Sequence, residues 1–239
     1  MPTTTFAGFP QEMIQFFRGL KRNNRREWFQ PRKHLFEQHV QAPMLELVAA
    51  LNAQLARFAP EYVTDPTKAI FRIYRDTRFS ADKTPYKTHL AASFRRREPQ
   101  HVHLGGFYFS VSSDAIEVGG GLYHPPPATT LLVRTYISET YPELQRIVAN
   151  RTARRLMGEL QGDELTRAPK GFDPRHSAAG LIKKKDWILH AMLDAGLATT
   201  PKLYREIADR FRVMTPLLEY LNRPLISQKQ PRDLLDDRW

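Results

Sequence analysis

The sequence predicts one α+β domain, in which a mostly antiparallel sheet of about four to five strands is flanked by N-terminal and C-terminal helices. Two observations support this fold class. Short segments rich in β-branched and aromatic residues follow one another without intervening helices, at 69–79, 88–96, 104–111 and 115–119. Segments with a helical spacing of apolar residues precede and follow them.

The N-terminal helices are predicted from apolar periodicity. Residues 10–20 place apolar side chains at helical spacing, and a longer helix is predicted over 31–57. Pro43 should kink or break that helix, because proline lacks the N–H donor and its ring clashes with the preceding turn. Asn24, followed three residues later by Glu27, has the form of a capping box at a helix start.

Helical patterns return after the strands, from about Pro127. Residues 183–189 are compatible with either a strand or a helix end. A last helix is predicted to begin at Thr200 and to end before Pro216. Neither a repeat nor a clear linker divides the 239 residues, so we predict a single domain over 1–225 and a polar tail over 226–239.

Composition excludes several classes of site. The chain has 36 Lys plus Arg against 25 Asp plus Glu, a net charge of +11, which favours contact with nucleic acid, nucleotides, anionic metabolites or a membrane surface. A soluble protein that is merely basic is the alternative. The absence of cysteine excludes disulfides, zinc thiolate sites and cysteine nucleophiles. Neither a signal peptide nor an apolar run of ~20 residues is present, so we expect a soluble, cytoplasmic protein without a membrane partner.

Residues 72–87 read RIYRDTRFSADKTPYK and carry five cations against two carboxylates. If the first part is a strand, alternation places Asp76 between Arg72 and Arg78 on one face. That carboxylate would hold both guanidiniums in place and keep its own pKa low. The candidate binding residues of the segment are Arg72, Tyr74, Arg75, Asp76, Arg78, Lys83, Tyr86 and Lys87.

Two interpretations of this segment stay open, and a plain solvated edge is a third. Arginine forks, lysines and tyrosines could form a preorganised site for phosphate or carboxylate. Alternatively, an Arg–Asp–Tyr network could fix the register of the strand and cover one face of the sheet. The excess of cations favours the anion site.

Residues 115–128 read AIEVGGGLYHPPPA, a strand followed by three glycines, an aromatic residue, prolines and a helix start. The glycines could allow a ligand to approach the backbone beside the free N–H groups of a helix N-terminus. The ending of a Walker A motif is absent, and a bulge or a sharp exit from the strand is the alternative. The candidate residues are Gly119, Gly120, Gly121 and Tyr123 for binding and Glu117 for proton transfer.

The histidines give one candidate for acid–base chemistry. His176 lies near Arg175 and the run Lys183–Lys185, so it is the best candidate for a proton carrier, and Lys184 joins the binding residues. His101 and His103 could share one face of a strand, but no carboxylate has a matching ligand spacing, so we predict no metal site. No cofactor and no oligomeric state is predicted.

Three long stretches together resemble the DUF2461 family, a domain of unknown function: GFPQEMIQFFRGLKRNNRREWF, RIYRDTRFSADKTPYK and GGGLYHP. The resemblance extends from Phe6 to about Leu221. It implies a single domain, and no activity, cofactor or catalytic residue is carried over from it.

Three functions therefore remain open. The favoured one is a basic site for a phosphate- or carboxylate-bearing small molecule, with or without catalysis, between residues 72–87, 119–123 and 176–185. The second is a nucleic-acid-binding protein without catalysis, supported by seven cations between Arg18 and Lys33 with Trp28 and Phe29 among them. The third is a structural or interaction protein.

Overall fold

The computed structural model describes residues 6–96 and 103–226. The predicted polar tail lies outside the described residues except for Ile226, which ends the last helix. His101 also lies outside them.

The sheet has four antiparallel strands, as predicted, and their order along the sheet is the order along the chain. The strands are β1 (His89–Arg95), β2 (Gly106–Ser112), β3 (Ala115–Leu122) and β4 (Trp187–Asp194). The α+β class with helices from both termini is confirmed. Residues 183–189, for which a strand or a helix end was open, contain the start of β4.

Five short or medium helices precede the sheet: α1 (Gln11–Arg22), α2 (Arg26–Phe29), α3 (Lys33–Phe36), α4 (Ala42–Phe58) and α5 (Pro66–Ala69). The interruption predicted at Pro43 takes the form of a π-helical turn over Glu37–Gln41, directly before α4. Pro43 then occupies the first turn of α4, and the π-helical turn before it accommodates the proline ring and the missing N–H.

Between β3 and residue 226, where the described part of the chain ends, there are four α-helices: α6 (Pro127–Val148), α7 (Arg151–Met157), α8 (Ala179–Ile182) and α9 (Lys202–Ile226). The prediction that the last helix ends before Pro216 is wrong, since α9 continues through it. Leu217, Leu218 and Leu221 beyond the proline are fully buried, and this burial outweighs the lost backbone hydrogen bond.

The main core lies between α9 and one face of the sheet. The ring of Phe211 on α9 lies 4.7 Å from that of Phe107 and 5.5 Å from that of Phe94, measured between centroids. Asn222, also on α9 and fully buried, ties the layers together. Its amide donates to Tyr62 Oη at 2.8 Å, and its Oδ1 accepts from the N–H of Gly105 at 2.8 Å.

Residues 69–79 do not form the predicted strand. They make two isolated bridges, Ile70 with Ala92 of β1 and Tyr74 with Tyr86. The 72–87 segment is therefore an irregular hairpin beside the outer edge of β1, called here the charged hairpin. The pairing stops because its loop is occupied by polar side chains that bond to one another, as described below.

Asn24 fastens the charged hairpin to the N-terminal helices. Its side chain donates to the carbonyl of Tyr86 at 2.8 Å and accepts from the N–H of Tyr86 at 3.1 Å. The predicted capping box is therefore wrong: the residue before α2 is Arg25, which makes no side-chain cap. The side-chain amide of Asn24 therefore bonds to Tyr86, far along the chain, instead of to the start of α2 as the local spacing predicted.

Candidate functional site

The second face of the sheet, opposite α9, carries most of the chemistry-bearing side chains. We call it the outer sheet face. Strand register aligns Ser93, Tyr108, Gly119 and His190 in one row across the four strands. The neighbouring row contains Ser110 and Glu117, and His89 lies one row further along β1. These side chains point away from the core because residues two apart on a strand share a face.

Three cations of the charged hairpin are held inside it. The guanidinium of Arg75 hydrogen-bonds Asp82 and Thr84. Arg78 Nη2 donates to Asp76 Oδ2 at 2.7 Å. The Lys83 ammonium donates to the carbonyl of Thr77 at 2.9 Å, so the network interpretation describes this part of the hairpin.

The hairpin carboxylates respond to these contacts. The hydrogen bond from Arg75 lowers the pKa of Asp82 to about 2, with further bonds from Thr84. The hydrogen bond from Arg78 lowers the pKa of Asp76, and the more distant charge of Arg72 adds to it. Asp76 therefore pairs with Arg78. Arg72, which the alternation also placed beside Asp76, affects the pKa of Asp76 only through its more distant charge.

The two tyrosines of the charged hairpin, Tyr74 and Tyr86, lie where the hairpin meets the N-terminal helices. Tyr86 is buried and stacks on Phe29 with 4.2 Å between ring centroids. Tyr74 is 43% exposed and packs beside Tyr86, with 5.4 Å between centroids. Tyr86 is therefore placed to anchor the hairpin, whereas Tyr74 keeps an accessible edge.

Two cations are left without a carboxylate. Within residues 6–96 and 103–226, no carboxylate oxygen lies within 4 Å of the Arg72 guanidinium or the Lys87 ammonium. Lys87 Nζ lies 5.2 Å from the centroid of the Phe71 ring. Burial lowers the pKa of Lys87, and the like charge of Arg72 lowers it further. A partly buried Lys87 and an exposed Arg72 therefore form a positive site at the edge of the outer sheet face.

Glu117 is the shared neighbour of three other titratable side chains on the outer sheet face, His89, Tyr108 and His190. Glu117 Oε2 lies 3.9 Å from His190 Nε2. Burial lowers the pKa of His89, while the charge of Glu117 raises it and that of Lys87 lowers it. Burial raises the pKa of Tyr108, a hydrogen bond with Ser110 partly offsets this, and the charge of Glu117 raises the pKa further. The charges of Lys87 on the charged hairpin and of Glu117 on β3 therefore both act on His89.

A groove adjoins this cluster. It has a volume of about 560 Å³ and is lined by Val63, Thr64, Asp65, Lys68, Phe71, Ser93 and Arg95. Phe71 belongs to both the groove and the cation pair, and its ring centroid lies 6.4 Å from that of Tyr108. The groove and the outer sheet face share Ser93, and the groove adds two cations, Lys68 and Arg95, and one carboxylate, Asp65.

The three glycines lie within β3 and differ in role. Gly121 has φ +138°, and a Cβ there would lie 2.1 Å from the carbonyl oxygen of Trp187, so this position requires glycine. Gly120 faces the core, where a Cβ would lie 3.2 Å from Met214 Sδ. Gly119 faces outward between Tyr108 and His190. Tyr123, after the end of β3, is 61% exposed.

The third predicted segment lies apart from the first. Lys184 is buried and its ammonium binds Glu164 Oε1 at 2.8 Å. His176 Nδ1 accepts from the N–H of Ala178 within the loop before α8. This segment leads into β4, whereas the charged hairpin lies beside β1, and those two edges are three strand spacings apart, roughly 14 Å. The structure brings together Arg72, Lys87, Glu117 and Gly119, and it places His176 and Lys184 elsewhere.

Sequence reasoning missed three residues of the cluster: His89, Tyr108 and His190. Alternation in the segment GFYFSVS could have assigned Tyr108 to the face opposite the phenylalanines. His89 and His190 required the register of β1 and β4, which no local pattern contains. Across the described ranges, no group of three His, Cys, Asp or Glu could hold a metal ion.

Comparison with known proteins identifies the family. A family model described as "Conserved hypothetical protein (DUF2461)" matches residues 12–220. The chain belongs to the DUF2461 family. The matched range of this DUF2461 protein includes the charged hairpin, the four strands and the groove. No curated protein and no solved structure matches the chain. In the part of the chain that the structure describes, no helix is long and apolar enough to cross a bilayer.

Proposed function

We propose that this DUF2461 protein binds a small phosphate- or carboxylate-bearing molecule on the outer sheet face. Arg72 and Lys87 bind the anion, and Phe71 and Tyr108 contact the body of the ligand. The single observation that carries the proposal is the cation pair at the face edge. Burial lowers the pKa of Lys87 and the like charge of Arg72 lowers it further. Within the described residues no carboxylate oxygen lies within 4 Å of either cation, and Asp76 acts on Arg72 only from a greater distance.

The electrostatics of that pair favour an anionic ligand. A desolvated cation beside a like charge destabilises the free protein. A bound anion removes both penalties, because it neutralises the repulsion and replaces water around the ammonium. Other cations of the hairpin, such as Arg75 and Arg78, already have carboxylate partners.

The dimensions favour a small molecule over a nucleic acid. A groove of about 560 Å³ has the volume typical of small-molecule sites. A nucleic-acid surface needs an extended basic track, but members of the N-terminal basic stretch bind within the protein. Lys21 pairs with Asp114 at 2.6 Å, Lys33 pairs with Glu37 at 3.2 Å, and the Arg32 guanidinium lies over Trp28. We retain the cytoplasm as the proposed location, since the chain lacks cysteine.

The test is calorimetric titration of the protein with inorganic phosphate, pyrophosphate and citrate. We expect at least one of these anions to bind. Lys87→Met and Arg72→Met should each weaken binding about tenfold or more, as expected for loss of a charge-assisted hydrogen bond.

Lys33→Met is the matched control, since it removes one equally positive, half-exposed lysine from another surface. It should leave binding unchanged. An equal loss in Lys33→Met and Lys87→Met would show that net charge alone attracts the anion, and the proposed site would be rejected.

A further inference from the structure

The strand register places a carboxylate, a phenol and an imidazole around one glycine on the outer sheet face. Tyr108, Gly119 and His190 are direct neighbours across β2, β3 and β4. Glu117 lies two residues before Gly119 on the same face, so it is the diagonal neighbour of both aromatic residues. Diagonal neighbours of this kind have Cβ atoms about 7–8 Å apart, within reach of long side chains.

Gly119 keeps the space between the two rings free of a side chain. A Cβ at this position would lie 3.5 Å from His190 Cδ2, so any larger residue would fill that space. Gly119 itself is buried, whereas the side chains of Glu117 and His190 are 42% and 34% exposed. The accessible part of this cluster is therefore formed by the side chains of Glu117 and His190, with Tyr108 beside them.

These groups have complementary proton chemistry. A carboxylate accepts a proton, and a phenol that stays protonated donates a hydrogen bond to a developing oxyanion. Tyr108 is protonated at neutral pH, as tyrosine ordinarily is, and burial raises its pKa above the usual value. His190, with Nε2 3.9 Å from Glu117 Oε2, positions the carboxylate.

We infer that the outer sheet face catalyses proton transfer next to a carbonyl group of a small anionic substrate, with Glu117 as the base and Tyr108 as the oxyanion donor. This inference rests on the proposed function, since Arg72 and Lys87 hold the anionic end of the substrate. The substrate class is a ketone or 2-oxo acid that carries phosphate or carboxylate. A ligand held at the cation pair would extend past Phe71 toward Tyr108, whose rings are 6.4 Å apart between centroids.

The step is balanced without an oxidant or a second substrate. Glu117 takes the proton from the carbon next to the carbonyl, and the electron pair of the broken C–H bond forms the carbon–carbon double bond of an enolate. The carbonyl electron pair moves onto its oxygen, which accepts a hydrogen bond from Tyr108. Return of a proton from the Glu117 carboxyl to the same carbon restores the starting carbonyl compound, so the net reaction is exchange of that hydrogen with solvent.

The experiment uses dihydroxyacetone phosphate and pyruvate as probes in D₂O. Loss of the C–H signals is followed by proton NMR, and binding of each probe is measured by calorimetry. We expect exchange faster than in buffer with at least one probe. Glu117→Gln should reduce the catalysed rate by a factor of about 100 or more and leave binding within about threefold, because Glu117 does not contact the anionic group.

Two further variants separate the roles. Tyr108→Phe should slow exchange about tenfold or more without loss of binding. His190→Gln, at a positioning residue, should lower the exchange rate at saturating probe and leave the KM for the probe within about threefold, because Glu117 loses the imidazole 3.9 Å from its Oε2. Glu159→Gln, at an exposed carboxylate after α7 whose side chain is 82% exposed, is the matched control and should exchange at the wild-type rate.

The outcomes distinguish the two proposals. If both probes bind but neither exchanges faster with the wild type than with Glu117→Gln, the proton-transfer inference is overturned and the proposed function stands. If neither these probes nor inorganic phosphate, pyrophosphate or citrate binds, the proposed function fails and the inference fails with it.

Discussion

The cations of the charged hairpin separate into two groups by their partners. Arg75 and Arg78 neutralise Asp82 and Asp76 inside the hairpin. Within the described residues, Arg72 and Lys87 have no carboxylate within ion-pair distance. Paired charges at a surface contribute little to folding, typically about 0–1 kcal/mol each, whereas a desolvated unpaired cation opposes it. The residues that folding leaves unpaired are therefore the ones we assign to the ligand.

The imidazole of His89 reports on the charges around it. We predict that Glu117→Gln lowers the pKa of His89 further, because the carboxylate raises it, and that Lys87→Met raises the pKa of His89, because the ammonium lowers it. Titration of the imidazole signals by NMR measures both shifts. Equal pKa values for His89 in all three proteins would contradict the proposed cluster.

The same titration has a consequence for stability. The folded pKa of His89 is below its ordinary value of 6.5, so the unfolded chain binds a proton more readily. The contribution of His89 to stability is therefore present above pH 6.5 and is lost as the pH falls toward the folded pKa.

At the scale of elements, β3 is the strand that joins the core to the outer sheet face. Its Gly120 faces the core and Gly119 faces the candidate site, while Gly121 allows the chain to pass close to β4. The triple glycine thus lies in the strand ladder rather than in a loop before a helix. Each of the three glycines is needed for a different reason, because one faces the candidate site, one faces the core and one lies against β4.

Gly121 and Gly171 provide a matched pair of substitutions. Both have positive φ, +138° and +92°, but only at Gly121 would a Cβ meet backbone, 2.1 Å from the Trp187 carbonyl oxygen. We predict that Gly171→Ala costs about 1–2 kcal/mol from backbone strain alone and that Gly121→Ala costs more than ~3 kcal/mol. Chemical denaturation measures both changes. Equal losses would mean that β3 and β4 do not approach as closely as described.

Local patterns predicted the elements that depend on local physics. The apolar spacing of 10–20 and the alternation of residues such as Phe107 and Phe109 required no knowledge of the fold. The strand over 69–79 failed because its polar loop bonds to itself, and the end at Pro216 failed because α9 is buried beyond it. Of the candidate site, Arg72, Lys87 and Glu117 were predicted as site residues. The coupling of Glu117 to His190 was not, because it depends on strand register.

At the scale of the whole molecule, the two faces of the sheet differ in what they contact. One face packs against α9 through Phe94, Phe107 and Phe211 and provides the rigid support. The other presents polar side chains from all four strands beside the groove. Sites built on paired strands hold their side chains more precisely than sites on loops, which suits the row of Tyr108, Gly119 and His190. The cation pair lies beside this row, on the irregular charged hairpin.

The net charge of +11 attracts anions to the whole surface. The position at which an anion binds is therefore the most direct test of the proposed site at Arg72 and Lys87. The measurement is chemical-shift mapping of the isotope-labelled protein during titration with pyrophosphate. We predict saturable shifts centred on Arg72, Lys87, His89 and Tyr108. Shifts confined to the N-terminal cations between Arg18 and Lys33, with none on the outer sheet face, would contradict the account.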